Sequence, residues 1–348
     1  MHPELFEIPF LHQTVKSWGV MVVLGFLAAM WLMRRLIRPL GEDPDILGNA
    51  AVYALIAGVI GARVFFVVHH RDLFVGRWLE VFAIWQGGVE LLGGVLTALL
   101  VLWLYLKRQK RPIRLYFDVL AIGLMVGIGF GRIGCFFSGC CYGKCTELPW
   151  GVRFPYGSLA YLHQVHPDPS RHRDKPYLDL PADYFGIPAP DGSWLPVDEA
   201  NKHSAYLKPF EQLTSEQQKQ VSEGPYRCLK VHPTQLYSSA NGFLLAAVLL
   251  GLWKKFGRTR PGVTAGAMLI LYGFTRFFLE TLRDDNPFEY SGFWLLYRGG
   301  TISQNMAIYL ILFGICVIAY SLWKPSPLPA VSPASSPKKK ASKAKSNC

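Results

Sequence analysis

The residues best suited to chemistry are arginines set inside, or at the edge of, apolar runs: Arg63, Arg132 and Arg276. An arginine in bilayer hydrocarbon costs at least ~2.5–3.5 kcal/mol on insertion scales, so by default it marks a functional site. Its guanidinium is a planar fork of donors that matches a phosphate through two parallel hydrogen bonds. Arg276, Glu280 and Arg283 recur at i, i+4 and i+7 and so share one helix face. Glu280 can pair with either arginine and ease the burial of charge. Arg132 begins the densest motif of the chain, Gly131-Arg132-Ile133-Gly134-Cys135-Phe136-Phe137-Ser138-Gly139-Cys140-Cys141-Tyr142-Gly143. Its glycines, including Gly131, Gly134 and Gly143, let backbone or ligand approach closely. Glu90, His232, Gln235 and Tyr237 supply acid–base and hydrogen-bonding groups near the starts of other apolar runs. Such a set suits an anionic lipid phosphate. The alternative for each arginine is snorkelling to the interface, most readily for Arg283 beside Asp284 and Asp285. His69 and His70 read as interfacial.

These groups can meet only if the apolar runs place them at one depth. The chain has 348 residues, 51% of them hydrophobic, and several runs reach the ~20 residues needed to cross a bilayer as a helix. We read seven spans, at 18–33, 47–68, 84–106, 117–137, 236–253, 263–282 and 306–323. The basic groups Arg34, Arg35 and Arg38, then Lys107 to Arg111, then Lys254, Lys255 and Arg258, then Lys324, follow the first, third, fifth and seventh spans. The positive-inside rule makes those ends cytoplasmic. The expected fold is an all-α membrane protein of seven transmembrane helices, N-terminus outside and C-terminus inside. Arg63, Glu90, Arg132, His232, Arg276, Glu280 and Arg283 then fall in one layer in the outer half of the membrane.

The expected organisation is four spans in residues 1–142, a small irregular extracytoplasmic subdomain at 143–231, three spans at 232–324 and a basic tail at 325–348. The tail is rich in Pro, Ser, Ala and Lys and cannot bury a core. Gly123, Gly127 and Gly131, and likewise Ala57 and Gly61, repeat at four-residue spacing, which permits close helix packing in lipid. The net charge of +12 is explained by the basic loops, so no nucleic-acid partner is expected. The first residues contain Glu4 and Glu7 and lack the form of a cleavable signal peptide.

Seven cysteines are present: Cys135, Cys140, Cys141, Cys145, Cys228, Cys316 and Cys348. On the outer side disulfides are permitted, and pairing of Cys228 with Cys140, Cys141 or Cys145 would staple the base of the loop. A metal site from Cys140, Cys141 and Cys145 and a redox or covalent role for Cys135 beside Arg132 are the other readings. The expected site contains no metal and no cofactor.

The motifs Gly61-Ala62-Arg63, Trp85-Gln86-Gly87-Gly88, Gly93-Gly94, Gly131-Arg132-Ile133-Gly134, His232-Pro233-Thr234-Gln235-Leu236-Tyr237 and Tyr272-Gly273-Phe274-Thr275-Arg276, with Glu280 and Arg283, occur in the order seen in the prolipoprotein diacylglyceryl transferases. The chain resembles that family over most of its length outside the long loop and the tail. The resemblance implies a multi-pass transferase of the bacterial inner membrane, acting in lipoprotein biosynthesis. It implies transfer of diacylglyceryl from phosphatidylglycerol to the lipobox cysteine of a preprolipoprotein, recognised at its signal-peptide region, with a thioether formed and glycerol phosphate released. Arg132 would hold the headgroup and Arg276 would be essential for transfer. Arg63, Gly93, Gly94, Gly131, Gly134, Gly143, Tyr237, Glu280 and Arg283 would complete the substrate site. Three positions depart from the family pattern. Leu92 stands where a histidine is common before the second glycine pair, Cys135 where asparagine is common, and Trp18 where tyrosine is usual. With Leu92 in that place, Glu90, His232 or the arginine field alone would have to deprotonate the thiol. The competing functions are a related membrane enzyme passing an anionic phospholipid to another acceptor, and a cysteine-based redox or metal membrane protein.

Overall fold

The computed structural model describes residues 4–8, 13–83, 88, 90–169, 173–284 and 296–324. A short antiparallel hairpin, β1 (Glu4–Ile8) and β2 (Gln13–Lys16), leads into α1 (Ser17–Ile37). The other long helices are α2 (Pro44–His69), α3 (Leu91–Arg108) and α4 (Ile113–Ser138). Between α4 and α7 lie α5 (Leu159–Val165), β3 (Phe185–Pro188), β4 (Trp194–Leu195), β5 (Tyr206–Leu207) and α6 (Ser215–Ser222). The chain closes with α7 (Thr234–Phe256), α8 (Val263–Thr281) and α9 (Ile302–Trp323).

Among the described residues, six helices are long and apolar enough to cross a membrane: α1, α2, α4, α7, α8 and α9. The sequence reading expected seven. Its third span began at residue 84, but helix starts only at Leu91. Residues 84–87 and 89, with most of the Trp85-Gln86-Gly87-Gly88 motif, lie outside the described residues, as does the tail at 325–348. The 18 residues of α3 rise about 27 Å and pack along α2.

Helix pairing follows small residues. A Cβ on Gly25 of α1 would sit 2.8 Å from Cβ of Phe130 in α4, and one on Gly61 of α2 would sit 2.2 Å from Thr97 Oγ1 in α3. Gly129 of α4 receives the Phe243 ring of α7, and Gly266 and Gly273 of α8 face α9. Without a hydrophobic force between helices in lipid, this close backbone approach is what holds them. The expected glycine stripe of α4 divides in the fold. Gly123 receives Met33 and the Gly127 backbone lies under Gly25, while a Cβ on Gly127 or on Gly131 would meet no atom within 4 Å.

Polar contacts sort the helix ends into two groups. At one end Glu42 accepts from Arg111 (3.1 Å) and Tyr116 (3.0 Å), joining the α1–α2 and α3–α4 turns. At that end the buried Asp118 carboxylate accepts from Gly262 N and Ala265 N, both 2.7 Å, and so caps α8. Arg114 donates to the Lys324 carbonyl (2.6 Å) at the end of α9. The basic clusters gather here. The opposite end carries the end of α4, the starts of α7 and α9, the end of α8 and the long insertion. The insertion has a core of its own, including Tyr142, Phe154, Tyr161, Leu180, Tyr184, Phe185 and Val231. It contains a three-stranded antiparallel sheet in the order β4-β3-β5 and a capping box, Thr214 with Gln217, at α6.

Candidate functional site

The site is organised by the way α4 stops. Gly139 takes φ +71° just past Ser138, and the N–H of Cys140 reaches back to the Cys135 carbonyl (3.2 Å). This C-terminal turn folds Cys140 onto Cys135. Cys141 then takes φ +59°, a left-handed conformation that costs a residue with a Cβ roughly 1–2 kcal/mol. Two side chains from the first turn of α7 hold it there. Thr234 Oγ1 donates to the Cys141 carbonyl and Gln235 Nε2 to the Cys140 carbonyl, each at 2.7 Å. As a result the sulfurs of Cys135, Cys140 and Cys141 all lie within 4.8 Å of one another.

Two residues on, Gly143 is the crossing point of the outer end. Its N–H donates to the His232 carbonyl (2.9 Å), the neighbouring Lys144 N–H donates to the Leu282 carbonyl (2.8 Å), and Gly143 bridges Arg283. A Cβ on Gly143 would meet His232 Cβ, Leu282 O and Thr234 Cγ2, all at 2.7 Å. Only glycine lets the end of α4, the start of α7 and the end of α8 approach this closely. The His232 backbone is thereby fixed at Gly143, and its Nδ1 lies 3.4 Å from the Tyr237 hydroxyl, which accepts from Trp150 Nε1 (2.8 Å).

On α8, Arg276 Nη2 lies 2.6 Å from Glu280 Oε2 and donates to Ser303 Oγ (3.0 Å). Arg283 Nη1 is 3.8 Å from the same Glu280 oxygen, and Thr301 Oγ1 donates to Glu280 Oε1 (3.1 Å). Thr301 also begins α9 in a capping box with Gln304. The carboxylate is fully buried, as expected for an acid compensated by two cations and a hydroxyl. Arg276 Nη1 is buried with no hydrogen-bond partner among the described residues. Arg132 is half-buried and makes no hydrogen bond or ion pair among them. Its charge acts on Arg276 and on Cys141, and Arg283 acts on the same two groups. Arg276 and Arg283 flank the Glu280 carboxylate and the charge of Arg132 reaches Arg276, with donors to spare on Arg132 and Arg276. That combination can grip an anion and stabilise further negative charge as it develops.

Other residues expected in the site make structural contacts. Arg63 donates from Nε to the Val81 carbonyl (2.8 Å), from Nη1 to Gly88 (2.9 Å) and from Nη2 to Glu80 (2.6 Å), between the rings of Phe66 and Phe74. Its guanidinium is engaged in holding the segment between α2 and α3, where the sequence reading had given it to a ligand. Gly93 and Gly94, also expected in the substrate site, seat α3 on α2, against Phe65 and Gly58. Gly134 is packed by Trp18 and Met21 of α1, while Gly131 is open. Glu90 precedes α3, and its carboxylate oxygens lie 2.8 and 2.7 Å from His69 Nδ1. His69 had been read as merely interfacial.

The described cysteines are free thiols. The expected staple from Cys228 does not form. Gln164 stands between Cys228 and Cys145, accepting from Cys228 Sγ (3.5 Å) and donating to Leu229 O (3.4 Å). Burial pushes both thiols up to about 11.

Sequence reasoning missed Ser303, Thr301, Gln235 as a clamp and the His69–Glu90 pair. The pattern Thr301-Ile302-Ser303-Gln304 is legible as a helix start, but nothing in it points at Arg276.

The family profile described as "Prolipoprotein diacylglyceryl transferase" matches residues 3–320. A protein of Xylella fastidiosa is 30% identical over 322 residues, covering 91% of this chain and 92% of that one. A protein of Xanthomonas oryzae pv. oryzae is 28% identical over 313 residues, 88% of this chain and 87% of that one. One of Clostridium tetani is 26% identical over 317 residues, 91% of this chain and 96% of that one. All three bear the name phosphatidylglycerol–prolipoprotein diacylglyceryl transferase.

Proposed function

Because the chain belongs to the prolipoprotein diacylglyceryl transferase family, we propose that this membrane transferase moves the diacylglyceryl group of phosphatidylglycerol onto the lipobox cysteine of a preprolipoprotein. The observation that carries the reading is the spare donor capacity of Arg132 and Arg276 beside a net positive group of side chains. A phosphodiester brings one negative charge there. The acceptor thiolate attacks the glyceryl carbon that bears the phosphate, an S–C bond forms, and the C–O bond breaks. The electron pair leaves with glycerol phosphate, which now carries more negative charge than the diester did. Arginines held in place before the reaction stabilise that gain, and the loss of one such donor costs about 10²–10³ in kcat in comparable oxyanion sites.

The thiol proton needs a base. We assign it to the His69–Glu90 pair. The carboxylate orients Nδ1 of the imidazole and leaves Nε2 to accept a proton, the logic of a carboxylate–histidine dyad. The pair stands close in sequence to Leu92, where relatives commonly carry histidine. His232 has its Nδ1 facing the Tyr237 hydroxyl and is assigned to shaping the arginine group.

The sorted helix ends support the expected topology. Seven spans, with α3 as the third, put the basic clusters of α1, α3, α7 and α9 inside by the positive-inside rule. The N-terminus, the arginine group and the 143–231 subdomain then face outside in a bacterial inner membrane. The test is to incubate detergent-purified protein with phosphatidylglycerol and a lipobox peptide. Thioether-linked diacylglyceryl peptide and equimolar glycerol phosphate are the expected products. Glycerol phosphate without modified peptide would transfer the reading to an enzyme with a different acceptor.

A further inference from the structure

The three sulfurs gathered at the end of α4 are not used by the transfer reaction, yet the fold goes to some length to bring them together. Cys140 is folded onto Cys135 by the helix-ending turn, and Cys141 is held in a left-handed conformation by Thr234 and Gln235. Strain of this kind persists where the surroundings over-determine it, and it concentrates at functional sites. Three thiols are weak hydrogen-bonding partners for one another and offer the fold little in return. They are strong ligands once deprotonated. We propose that Cys135, Cys140 and Cys141 together bind one thiophilic metal ion of the Cu(I) or Zn(II) class.

Two observations support the site. The sulfurs lie within 4.8 Å of one another. A three-coordinate ion with metal–sulfur bonds of about 2.3 Å requires sulfurs about 4 Å apart, a closure of under about 1 Å. The donor set is all sulfur, and thiolates select Cu(I) and Zn(II) over harder cations. Three thiolates around a monovalent ion leave two negative charges and around a divalent ion one. Binding forms three metal–sulfur bonds, releases three thiol protons to solvent and changes no oxidation state. Three ligands complete the trigonal coordination of Cu(I), while Zn(II) would keep a fourth position open. Cys145 and Cys228 are a separate pair flanking Gln164 and do not take part.

The test uses the full chain in detergent, stripped by chelator and reductant, then titrated separately with Zn(II) and with Cu(I). Expected is one ion per chain in at least one titration, with the sulfur ligation and the ~2.3 Å distance visible by X-ray absorption. Serine at any one of Cys135, Cys140 or Cys141 should weaken binding by about 100-fold or more, whereas C145S and C228S should not. Because a serine variant can misfold, the wild-type chain supplies a second readout. The bound ion should protect Cys135, Cys140 and Cys141 from alkylation, mapped by peptide mass spectrometry, and leave Cys316 reactive. Binding that survives in the triple serine variant, no binding of either ion, or an intact mass 2 Da low from a disulfide within the triad would each overturn the proposal. None of these readouts uses transferase activity, so the site and the enzyme assignment stand or fall separately.

Discussion

Arg276 and Glu280 form a 2.6 Å ion pair through Nη2 of the guanidinium, leaving Nη1 buried and without a hydrogen-bond partner among the described residues. One edge of the arginine is thus anchored and the other is available to a ligand. Replacing Arg276 by Ala should abolish thioether formation, a fall of at least about 10² in kcat. Arg276→Lys should fare little better, because a point ammonium cannot hold Glu280 and Ser303 while presenting a second planar donor. Glu280→Ala should act on stability instead. It strands Arg276 and Arg283 without their buried counter-charge, a loss of about 3–5 kcal/mol. A large drop in thermal midpoint in detergent would be its signature, and an unchanged midpoint would show that the pair is not buried as described.

Arg63 and Arg132 should separate cleanly. Arg63 hydrogen-bonds the carbonyls of Glu80, Val81 and Gly88, so Arg63→Ala should lower the melting temperature and open the segment between α2 and α3 to protease. Arg132 makes no comparable bond among the described residues. Arg132→Ala should leave melting and proteolysis unchanged while raising KM for phosphatidylglycerol and lowering kcat. Identical behaviour of the two variants would remove the distinction drawn here.

This contrast also shows what could be read from the sequence. Apolar runs, basic run-ends and the i, i+4, i+7 face of Arg276, Glu280 and Arg283 are one-dimensional signals, and they gave the helices and the ion-pair face. Whether an arginine's donors are already taken is a three-dimensional fact. Arg63 finds its partners 17 to 25 residues away, and no spacing rule announces that. The same holds for Ser303 reaching Arg276 across 27 positions, and for the clamp of Thr234 and Gln235 on Cys141 and Cys140 across 93 and 95. Gly143 lay within a glycine-rich motif, but its role depends on three chain segments crossing at one point.

That crossing predicts the effect of one methyl group. A Cβ at Gly143 would lie 2.7 Å from two backbone-proximal atoms and a carbonyl oxygen, contacts that cannot be relieved by rotating a flexible side chain. Gly143→Ala should cost about 1–3 kcal/mol and displace His232 and Arg283 together. Gly131→Ala meets no atom within 4 Å and should melt like the wild type. Equal melting temperatures for the two variants would contradict the close approach at Gly143.

The thiols beside Gln164 give a prediction in pH. Burial raises Cys145 and Cys228 to about 11, so at pH 8 roughly one in a thousand of each is thiolate. Both should alkylate at least about a hundredfold more slowly than an exposed peptide thiol, whose ordinary pKa is about 8.5. Their rates should climb about tenfold per pH unit up to pH 10, because the thiolate fraction rises by that factor below the pKa. A rate that plateaus near pH 9 would place these thiols in the ordinary range.

The base assignment is tested by varying the pH at which transfer is measured. If the His69–Glu90 pair removes the lipobox proton, His69→Ala and Glu90→Gln should lower kcat at pH 7 by about 10²–10⁴, the usual worth of a positioned base. KM for the lipid should hardly move, because neither group belongs to the arginine cluster proposed to bind phosphate. The defect should shrink steadily toward pH 9.5, where a peptide thiol with a pKa near 8.5 ionises without help. A variant that had merely lost its fold would show no such recovery. His232→Ala supplies the contrast. It disturbs a residue whose backbone is tied to Gly143, which also bridges Arg283, so its loss should appear in KM and persist at high pH. Recovery at high pH in His232→Ala, with none in His69→Ala, would transfer the base from the His69–Glu90 pair to His232.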